Sequence, residues 1–288
     1  LRLLGVFAGC LAQAVGGKMP ADQETIRYWG VHGVDADGRW YLLREVLGGG
    51  SGGRWYADGS DAIHIVPDSK NLPAEFTETR FPVRIEKLAL ATDSGGPGKR
   101  RGGLGYDKHI RLLRDAFFVS TADRSILGPY GLAGGMAAPP YQATIDGGEA
   151  LPGMNDDVPL RAGSLLRLRT TGGGGWGDPF EREPELVLND VIQGRVSVES
   201  AERDYGVVIR DGAIIELCRD VSLGARPFVD RGPATSDCGP LSQERPAADA
   251  EQAARRADAE DAARAAEAED AAGAAYAHDA AGAEEAAD

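Results

Sequence analysis

The sequence has little cysteine, no long apolar run and no long run of basic residues. Its three cysteines, Cys10, Cys218 and Cys238, show no CxxC spacing, so they predict neither a disulfide framework nor a tetrathiolate zinc site. No apolar run approaches the roughly 20 residues that cross a bilayer. The 45 Asp and Glu residues outnumber the 31 Lys and Arg residues, and the formal net charge is −14. These features disfavour nucleic acid and membrane as partners and predict a cytoplasmic protein.

The acidic excess lies mostly at the C-terminal end. Residues 247–288 contain 12 acidic residues, 3 basic residues and 22 alanines. Because Tyr276 is the only large apolar side chain of this segment, it cannot bury enough surface to offset the entropy of ordering. The sequence therefore predicts a main body over residues 1–218, an irregular linker over 219–246, and a disordered or fluctuating helical tail over 247–288.

The main body is rich in glycine and in segments with the character of β-strands. Most of the 40 glycines lie in this body, with clusters at 48–53, 95–105 and 172–177. Strands are predicted over residues 25–29, 40–47, 62–66, 81–90, 106–113, 117–121, 165–170, 207–210 and 214–217. The expected fold class is α+β: a β-rich mixed domain with Gly-rich loops and few helices, which lie mainly at its ends.

Helices are predicted near both ends of the body. The first covers residues 1–15 and is expected to face the core with apolar side chains at helical spacing: Leu4, Phe7, Leu11 and Val15. Two more are predicted over about 184–193 and 198–204, each followed by a glycine. Because the chain starts abruptly with apolar residues and without Met, residues upstream are expected to be missing.

Two local features of the strands are also predicted. The dipeptide Asp37-Gly38 is typical of a tight turn and favours a hairpin between Val31 and Tyr41. In the segment 81–90 the apolar residues alternate and then resume one position out of step, which predicts a β-bulge near Lys87.

Several nucleotide and nucleophile motifs are matched only formally. Residues 48–53 and 172–177 fit GxGxxG, and Ser51 stands in GxSxG. Neither segment is followed directly by a helix, which a dinucleotide site and a nucleophile elbow both require. Gly98-Lys99 lacks the first glycine and the Ser or Thr of a phosphate-binding loop. We therefore expect Ser51 to be an ordinary loop serine and these segments to bind no nucleotide.

Asp61 and His64 form the most chemically suggestive short stretch. A histidine can hold a metal or move a proton near neutral pH, but a strand would place Asp61 and His64 on opposite faces. A joint role therefore requires a bend, and a histidine bonded to a backbone carbonyl is the competing interpretation. The other histidines, His32, His109 and His278, show no metal-ligand spacing, so no metal site made from this chain alone is predicted.

The loop from Asp93 to Gly105 combines one carboxylate, three basic residues and six glycines. Its glycines permit positive φ, and its arginines, including Arg101, are suited to pair with Asp93 or with the carboxylate of a ligand. A purely structural crossing of strands explains the same composition. Both interpretations stay open at this point.

Taken together, the motifs of the body resemble one family. They are, in order, Gly48 to Arg54, Asp58 to His64, Asn71 to Glu75 followed by Arg80-Phe81-Pro82, Asp93 to Gly105, Gly131 to Gly135, and Gly172 to Pro179 followed by Asp204 to Val208. Their order and spacing are similar to the C-terminal half of the hydantoinase B/5-oxoprolinase family, which includes the large subunits of acetone and acetophenone carboxylases. In the segment 66–73, only Asn71 and Pro73 agree with the family's usual pattern.

The resemblance implies an ATP-dependent system with two kinds of subunit. A hydantoinase A-like partner binds ATP with Mg and phosphorylates the carbonyl oxygen of a small cyclic amide, such as 5-oxoproline or an N-substituted hydantoin. The B-like subunit then supports attack by water, which opens the ring. A divalent metal, where the family uses one, is held by the N-terminal half of that subunit. The isolated fragment is accordingly expected to be inactive.

The resemblance and the chemistry of the residue types together give six candidate site residues: Arg54, Asp61, His64, Asn71, Asp93 and Arg101. The two arginines and the asparagine are predicted to bind substrate, the arginines through carboxylate or phosphoryl oxygens. The histidine and the two aspartates are the predicted catalytic groups, with His64 and Asp61 positioning water or a proton. The alternatives are a subunit of an ATP-dependent acetone or acetophenone carboxylase and a non-catalytic scaffold that docks a partner.

Overall fold

The computed structural model describes residues 2–15, 18–24, 27–63 and 70–218. Its helices are α1 (Arg2–Ala12), α2 (Ala74–Arg80), α3 (Pro184–Ile192) and α4 (Val198–Tyr205), with a 3-10 helix over Pro179–Glu181. Its strands are β1 (Arg27–Val34), β2 (Trp40–Val46), β3 (Val83–Leu90), β4 (Tyr106–Leu112), β5 (Ala116–Ala122), β6 (Gln142–Ile145), β7 (Met154–Leu160), β8 (Leu165–Arg169), β9 (Val207–Arg210) and β10 (Ala213–Leu217). The predicted β-rich α+β fold with few helices is confirmed. The predicted linker and tail lie outside the described residues.

Two four-stranded antiparallel sheets form the main body. The first has the strand order β2-β1-β5-β7 and the second β3-β4-β8-β6. β1 and β2 form the hairpin that Asp37-Gly38 predicts, with Val34 opposite Trp40. The pairing of β3 with β4 shifts between Ile85 and Lys87, which is the predicted bulge. The sequence did not predict β6 and β7.

The hydrophobic core lies between the two sheets. Every second residue of β2 is buried, and Tyr41 and Leu43 point inward. They meet Trp29 and Phe118 of their own sheet and Leu166 of the other sheet in one apolar cluster. Truncating a leucine packed in this way to alanine costs about 2–5 kcal/mol. The sandwich is therefore a rigid base for the loops at the ends of its strands.

An ion pair is buried inside this sandwich. Lys108 Nζ contacts Glu45 Oε2, and each side chain is 2% exposed. The Lys108 ammonium also lies 5.0 Å from the centre of the Trp29 ring, and the Leu72 amide donates to Glu45 Oε1 at 2.8 Å. These further partners offset part of the cost of removing two charges from water.

The glycine clusters are packed segments rather than open loops. We call residues 48–53, 94–105, 131–136 and 172–177 the glycine bundle. Its segments are hydrogen-bonded to one another, for example from Gly103 N to Ser51 O at 2.8 Å and from Gly173 N to Gly103 O at 2.9 Å. A Cβ on Gly103 would lie 1.9 Å from Ser60 O, so only glycine permits this approach. The bundle is thus a second kind of core, made of backbone.

A smaller apolar core lies in residues 179–218, which we call the C-terminal module. α3 begins with Pro184 in its first turn, as predicted. α4 follows Ser197, whose hydroxyl accepts from Ser200 N, and ends at Gly206 in the left-handed conformation. The buried apolar members of the module are Val187, Val196, Ala201, Tyr205, Val207 and Ile209.

The first helix packs differently from its prediction. Phe7 was expected to face the core but is 62% exposed, and Val6 is 63% exposed. α1 instead turns two glycines inward: the Tyr130 hydroxyl donates to Gly5 O at 2.7 Å, and a Cβ on Gly9 would lie 2.8 Å from the same hydroxyl oxygen. The smallest residues of the helix therefore decide which face approaches the body, because a larger side chain would not fit there.

Two further findings concern the cysteines and the helices. Cys10 is free and exposed. In the described ranges, none of the helices has the length and apolar character that crossing a membrane requires.

Candidate active site

A polar cluster lies where the C-terminal module meets the glycine bundle. At its centre are residues 58–63, which we call the 58–63 turn. The amides of Gly59 and Ala62 donate to the carbonyls of Arg101 and Leu104, both at 2.7 Å. Ala62 has a φ of 50°, in the left-handed region that residues other than glycine rarely adopt. Such strain persists only where the surroundings determine the backbone, and it is frequent at functional sites.

Asp61 and Arg101, two predicted site residues, are in direct contact. Arg101 Nη1 donates to Asp61 Oδ1 at 3.3 Å and to Gly102 O at 2.6 Å. The same oxygen of Asp61 accepts from Leu104 N at 2.8 Å. The Arg101 side chain is 2% exposed and that of Asp61 is 21% exposed. Arg101 is therefore a buried support for Asp61, which keeps part of its carboxylate open to solvent.

Arg182 binds two carboxylates at once. Its Nη1 and Nη2 donate to the two carboxylate oxygens of Asp58 at 2.8 and 2.7 Å, and Nη2 also donates to Asp190 Oδ2 at 2.7 Å. The carbonyl of Lys99 accepts a further bond from Nη1 at 3.1 Å. The side chains of Arg182 and Asp190 are 1% and 3% exposed. This bidentate pairing ties the 58–63 turn to the C-terminal module.

The charges of the cluster determine its ionisation. Burial alone would raise the pKa of Asp58, but the hydrogen bonds and charge of Arg182 outweigh it and hold that pKa below its ordinary value. Burial would lower the pKa of Arg182, but Asp58 and Asp190 outweigh it and raise the pKa. Burial also raises the pKa of the Tyr205 hydroxyl nearby. At neutral pH the cluster therefore holds an ionised Asp58, a cationic Arg182 and a neutral Tyr205.

Asp93 reaches the cluster through Arg195. The Arg195 carbonyl accepts from Asp93 N at 3.0 Å, and Ser197 N at the start of α4 donates to Asp93 Oδ1 at 2.8 Å. The Arg195 guanidinium lies 3.8 Å from Asp61 Oδ2 and 3.6 Å from Asp190 Oδ1. Arg195 thus lies between Asp93 and Asp61 and contacts both. The carboxylate of Asp93 is hydrogen-bonded to the backbone of the C-terminal module.

Asn71 approaches the same turn from the sandwich. Its side chain is hydrogen-bonded to the Tyr106 hydroxyl, and that hydroxyl donates to Ala62 O at 3.2 Å. Burial raises the pKa of Tyr106, and the carboxylate of Glu45 adds to the effect. Tyr106 therefore stays protonated and joins Asn71 to the 58–63 turn.

Arg54 lies at the start of a second turn beside the cluster. Its amide donates to Ala57 O at 2.8 Å, one residue before Asp58. The tip of this turn carries Trp55 and Tyr56, whose rings meet edge to face at 4.7 Å and are each about half exposed. The side chain of Arg54 is half-buried. It is thus a basic group at the solvent edge of the site.

Two expectations about this region have different outcomes. His64 and the remainder of the predicted strand 62–66 lie outside the described residues. Ile63, the last described residue of this segment, forms an isolated bridge with Gly49. Ser51 is buried and its Oγ accepts from Ser60 N at 2.7 Å, in agreement with a loop serine. Within the described ranges, no group of three or more His, Cys, Asp or Glu side chains is arranged to hold a metal ion.

Several members of the cluster were not singled out from the sequence, among them Arg182, Asp190 and Arg195. One signal could have found Asp190. It lies three residues after Val187 on α3, so helical spacing places a charge beside the apolar stripe of that helix. A charge at such a position predicts a buried partner of opposite sign. The partner itself, Arg182, carries no comparable signal.

Most of the chain is similar to known proteins. Residues 1–179 match the family described as hydantoinase B/oxoprolinase. The 5-oxoprolinase PfmaA of Pestalotiopsis fici is 32% identical over 170 residues, which are 52% of this chain and 13% of that protein. The crystal structure of the ATP-dependent caprolactamase from Pseudomonas jessenii is similar with a TM-score of 0.61 and 28% identity, over 70% of this chain and 38% of that one.

A more distant structure shares the fold. Nucleotide-free acetone carboxylase is similar with a TM-score of 0.60 and 22% identity, over 68% of this chain and 31% of that one. The chain spans about one third of the length of the curated relatives that it matches first, 36% and 32%. Within it, the 58–63 turn and Arg101 lie inside the matched residues 1–179, whereas Arg182 and Asp190 lie beyond them.

Proposed function

Because the chain belongs to the hydantoinase B/oxoprolinase family, as its ordered motifs indicate and the match over residues 1–179 confirms, we propose that it works in an ATP-dependent cyclic amidohydrolase. Two relatives are named for cyclic amides, 5-oxoproline and caprolactam, and the caprolactamase is ATP-dependent. The acetone carboxylase is less similar in sequence. Hydrolysis of a small lactam or hydantoin is therefore the favoured activity, and carboxylation of a ketone is the alternative.

The proposed reaction overcomes the low electrophilicity of the amide carbonyl carbon by phosphorylating the amide oxygen. A hydantoinase A-like partner binds ATP with Mg and transfers the γ-phosphoryl group to the amide oxygen, so that ADP leaves and the carbon becomes electrophilic. Water adds to that carbon, the ring C–N bond breaks, and the nitrogen leaves with a proton. A second water hydrolyses the resulting acyl phosphate to a carboxylate and phosphate. Any divalent metal is proposed, as the family resemblance implies, to be held by the remainder of a B-type subunit.

The observation that carries the proposal is the way Asp61 is held. One of its oxygens is hydrogen-bonded to Arg101 and to Leu104 N, while the side chain stays 21% exposed at the edge of a rigid backbone core. A carboxylate oriented in this way is suited to position water or to take its proton. The sequence predicts that Arg101 binds substrate, but because its side chain is 2% exposed, in the proposal it has the role of orienting Asp61 instead. Arg54 keeps its predicted role of binding carboxylate or phosphoryl oxygens of the substrate.

The remaining predicted residues keep their proposed roles around this centre. His64 is the proposed proton carrier that follows Asp61 on the chain. Asp93 is the second proposed catalytic carboxylate, and it approaches Asp61 through Arg195. Asn71 is proposed to contact substrate, in line with its link to the 58–63 turn through Tyr106.

The test reconstitutes the chain with a hydantoinase A-like subunit and the remainder of a B-type subunit. ADP and ring-opened product are measured together for 5-oxoproline, caprolactam and N-methylhydantoin. We expect equal amounts of both for at least one substrate. Asp61→Asn is expected to lower kcat by about 10²–10⁴-fold, the usual contribution of a positioned acid or base. The control is Asp115→Asn, which removes an exposed carboxylate hydrogen-bonded to Arg161 and Ala162 N outside the site.

Three alternative results of this test would each contradict a part of the proposal. ATP-dependent and bicarbonate-dependent consumption of acetone, without ring opening, would identify the carboxylase alternative. No ATP-dependent turnover of any of these substrates would favour the non-catalytic scaffold. Equal effects of Asp61→Asn and Asp115→Asn would remove Asp61 from the catalytic groups.

A further inference from the structure

The C-terminal module is attached to the rest of the protein by polar contacts. Among the described residues, its apolar cluster shares no member with the core of the sandwich. Hydrogen bonds and ion pairs join the module to the rest of the protein, such as Thr92 Oγ1 to Gly194 O at 2.7 Å and Lys99 Nζ to Glu181 Oε2 at 3.1 Å. Polar contacts depend strongly on direction and distance, so they specify one orientation of the module more sharply than apolar contacts do.

The strongest of these contacts converge on the 58–63 turn. Arg182 holds both oxygens of Asp58 at 2.7–2.8 Å, and Arg101 N donates to Asp58 Oδ1 at 2.8 Å. Asp190 lies behind Arg182 and also faces Arg101 Nε at 3.6 Å. The same Arg101 supports Asp61. One buried network therefore runs from α3 through Arg182 to both aspartates of the turn.

We infer that Arg182, held by Asp190, is a positioning residue that fixes the 58–63 turn and thereby orients Asp61. The inference rests on the proposed function for the role of Asp61, and it extends the site into residues beyond the family match over 1–179. The C-terminal module is then part of the proposed active site, because its Arg182 holds the turn in place through Asp58.

The geometry explains why an arginine is needed. Arg182 uses its two terminal nitrogens on two carboxylates and a carbonyl at once, with one nitrogen on each carboxylate oxygen of Asp58. A lysine at this position presents one nitrogen and cannot reproduce the paired bonds. Arg182→Lys therefore keeps the buried positive charge but loses the constraint on the plane of Asp58. This variant separates orientation from charge.

The first test measures order in the 58–63 turn by amide hydrogen exchange of the full chain. In Arg182→Lys we expect the amides of Gly59 and Ala62 to exchange at least tenfold faster, because their bonds to residues 101 and 104 depend on the position of the turn. The Gly206 amide at the end of α4 is expected to change less than threefold. The matched control is Arg111→Lys, which breaks a similar two-bond pair with Glu86 on the outer face of the second sheet.

The second test uses the reconstituted enzyme. Arg182→Lys is expected to lower kcat at least tenfold while KM changes less than threefold, because the substrate-binding Arg54 is left in place. Arg111→Lys is expected to leave both constants unchanged. A general loss of stability would also lower kcat per total chain at constant KM, so kcat is expressed per folded molecule, with the folded fraction measured by circular dichroism.

The outcomes separate this inference from the proposed function. Unchanged exchange at Gly59 and Ala62 overturns the inference whatever the activity. Faster exchange with an unchanged kcat also overturns it, because the turn would then be ordered by Arg182 without consequence for catalysis. Wild-type protein that turns over no substrate defeats the proposed function, while the exchange result still decides whether Arg182 orders the turn. If Arg182→Lys fails to fold, Asp190→Asn is measured in its place, with the same expectations.

Discussion

The glycine bundle makes a sharp prediction about a single methyl group. In the variant Gly103→Ala the added Cβ would lie 1.9 Å from Ser60 O and 3.0 Å from Ser51 N. Gly103 does not have a positive φ, so the conflict is one of space rather than of backbone conformation. We expect this substitution to be among the most destabilising in the chain.

The magnitude follows from what has to move. A carbon and an oxygen that are not bonded need about 3.2 Å, so the segments must separate by more than about 1 Å. Gly103 N donates a hydrogen bond to Ser51 O at 2.8 Å, and Gly103 O accepts one from Gly173 N at 2.9 Å. Leaving buried partners of two such bonds unsatisfied costs about 1–3 kcal/mol each, and overpacking adds about 1–3 kcal/mol. A loss of about 4 kcal/mol or more is expected, a large share of a typical stability of about 5–15 kcal/mol.

The assay is urea unfolding followed by tryptophan fluorescence, with Gly148→Ala as the matched control. A Cβ on Gly148 meets only Ile145 O, at 3.2 Å, and Gly148 is exposed. We expect this control to change the free energy of unfolding by no more than about 0.5 kcal/mol. A cost below about 1 kcal/mol for Gly103→Ala would refute the view that the glycine segments form a close-packed core.

Two further predictions concern buried and partly buried charges. Lys108→Met is expected to lower the free energy of unfolding in urea by about 3–5 kcal/mol, because Glu45 stays buried without its cation, and the double variant Glu45→Leu/Lys108→Met is expected to recover most of that loss. A double variant as unstable as the single one would contradict this. Burial would raise the pKa of Asp107, but Arg167 and a neighbouring lysine outweigh it and hold that pKa well below its ordinary value. Asp107 is therefore protonated in the unfolded chain at a higher pH than in the folded chain. The stability that its ionised carboxylate contributes is lost as the pH falls below about 4. Urea unfolding at about pH 6 and pH 3 is expected to show a smaller loss of stability on acidification in Asp107→Asn than in wild type, with Glu149→Gln as an exposed control, and equal losses would count against the assignment.

Most of the sandwich could be predicted because its signals are local. The hairpin of β1 and β2 follows from a turn dipeptide between two apolar strands, and the bulge in β3 follows from a one-residue slip in alternation. β7 has no such signal, since Asp156, Asp157 and Pro159 interrupt its pattern. It becomes a strand through its pairing with β5, in which Val158 lies opposite Phe118. Pairing between distant segments is not visible in either segment alone.

The site could be predicted in its parts but not in its connections. The residue types of Asp61 and Arg101 suggested a role for each, but their contact joins segments 40 positions apart, and the bond from Asp58 to Arg182 spans 124 positions. Glycine clusters in a sequence predict conformational freedom. Here they serve close approach of backbones, and that difference depends on which segments meet. The sequence therefore predicted the loops but not that they pack against one another as a core.

The balance of charge in the cluster limits which residue can meet an anionic substrate. Arg101 and Arg182 are 2% and 1% exposed, and both are already paired with aspartates. An anion could use either only by displacing Asp61 or Asp58, which would leave a poorly solvated carboxylate without its cation at a cost of several kcal/mol. Arg54 is half-buried beside a turn open to solvent. We therefore propose Arg54 as the arginine that binds substrate oxygens, and we propose that the buried arginines act only through the aspartates that they hold.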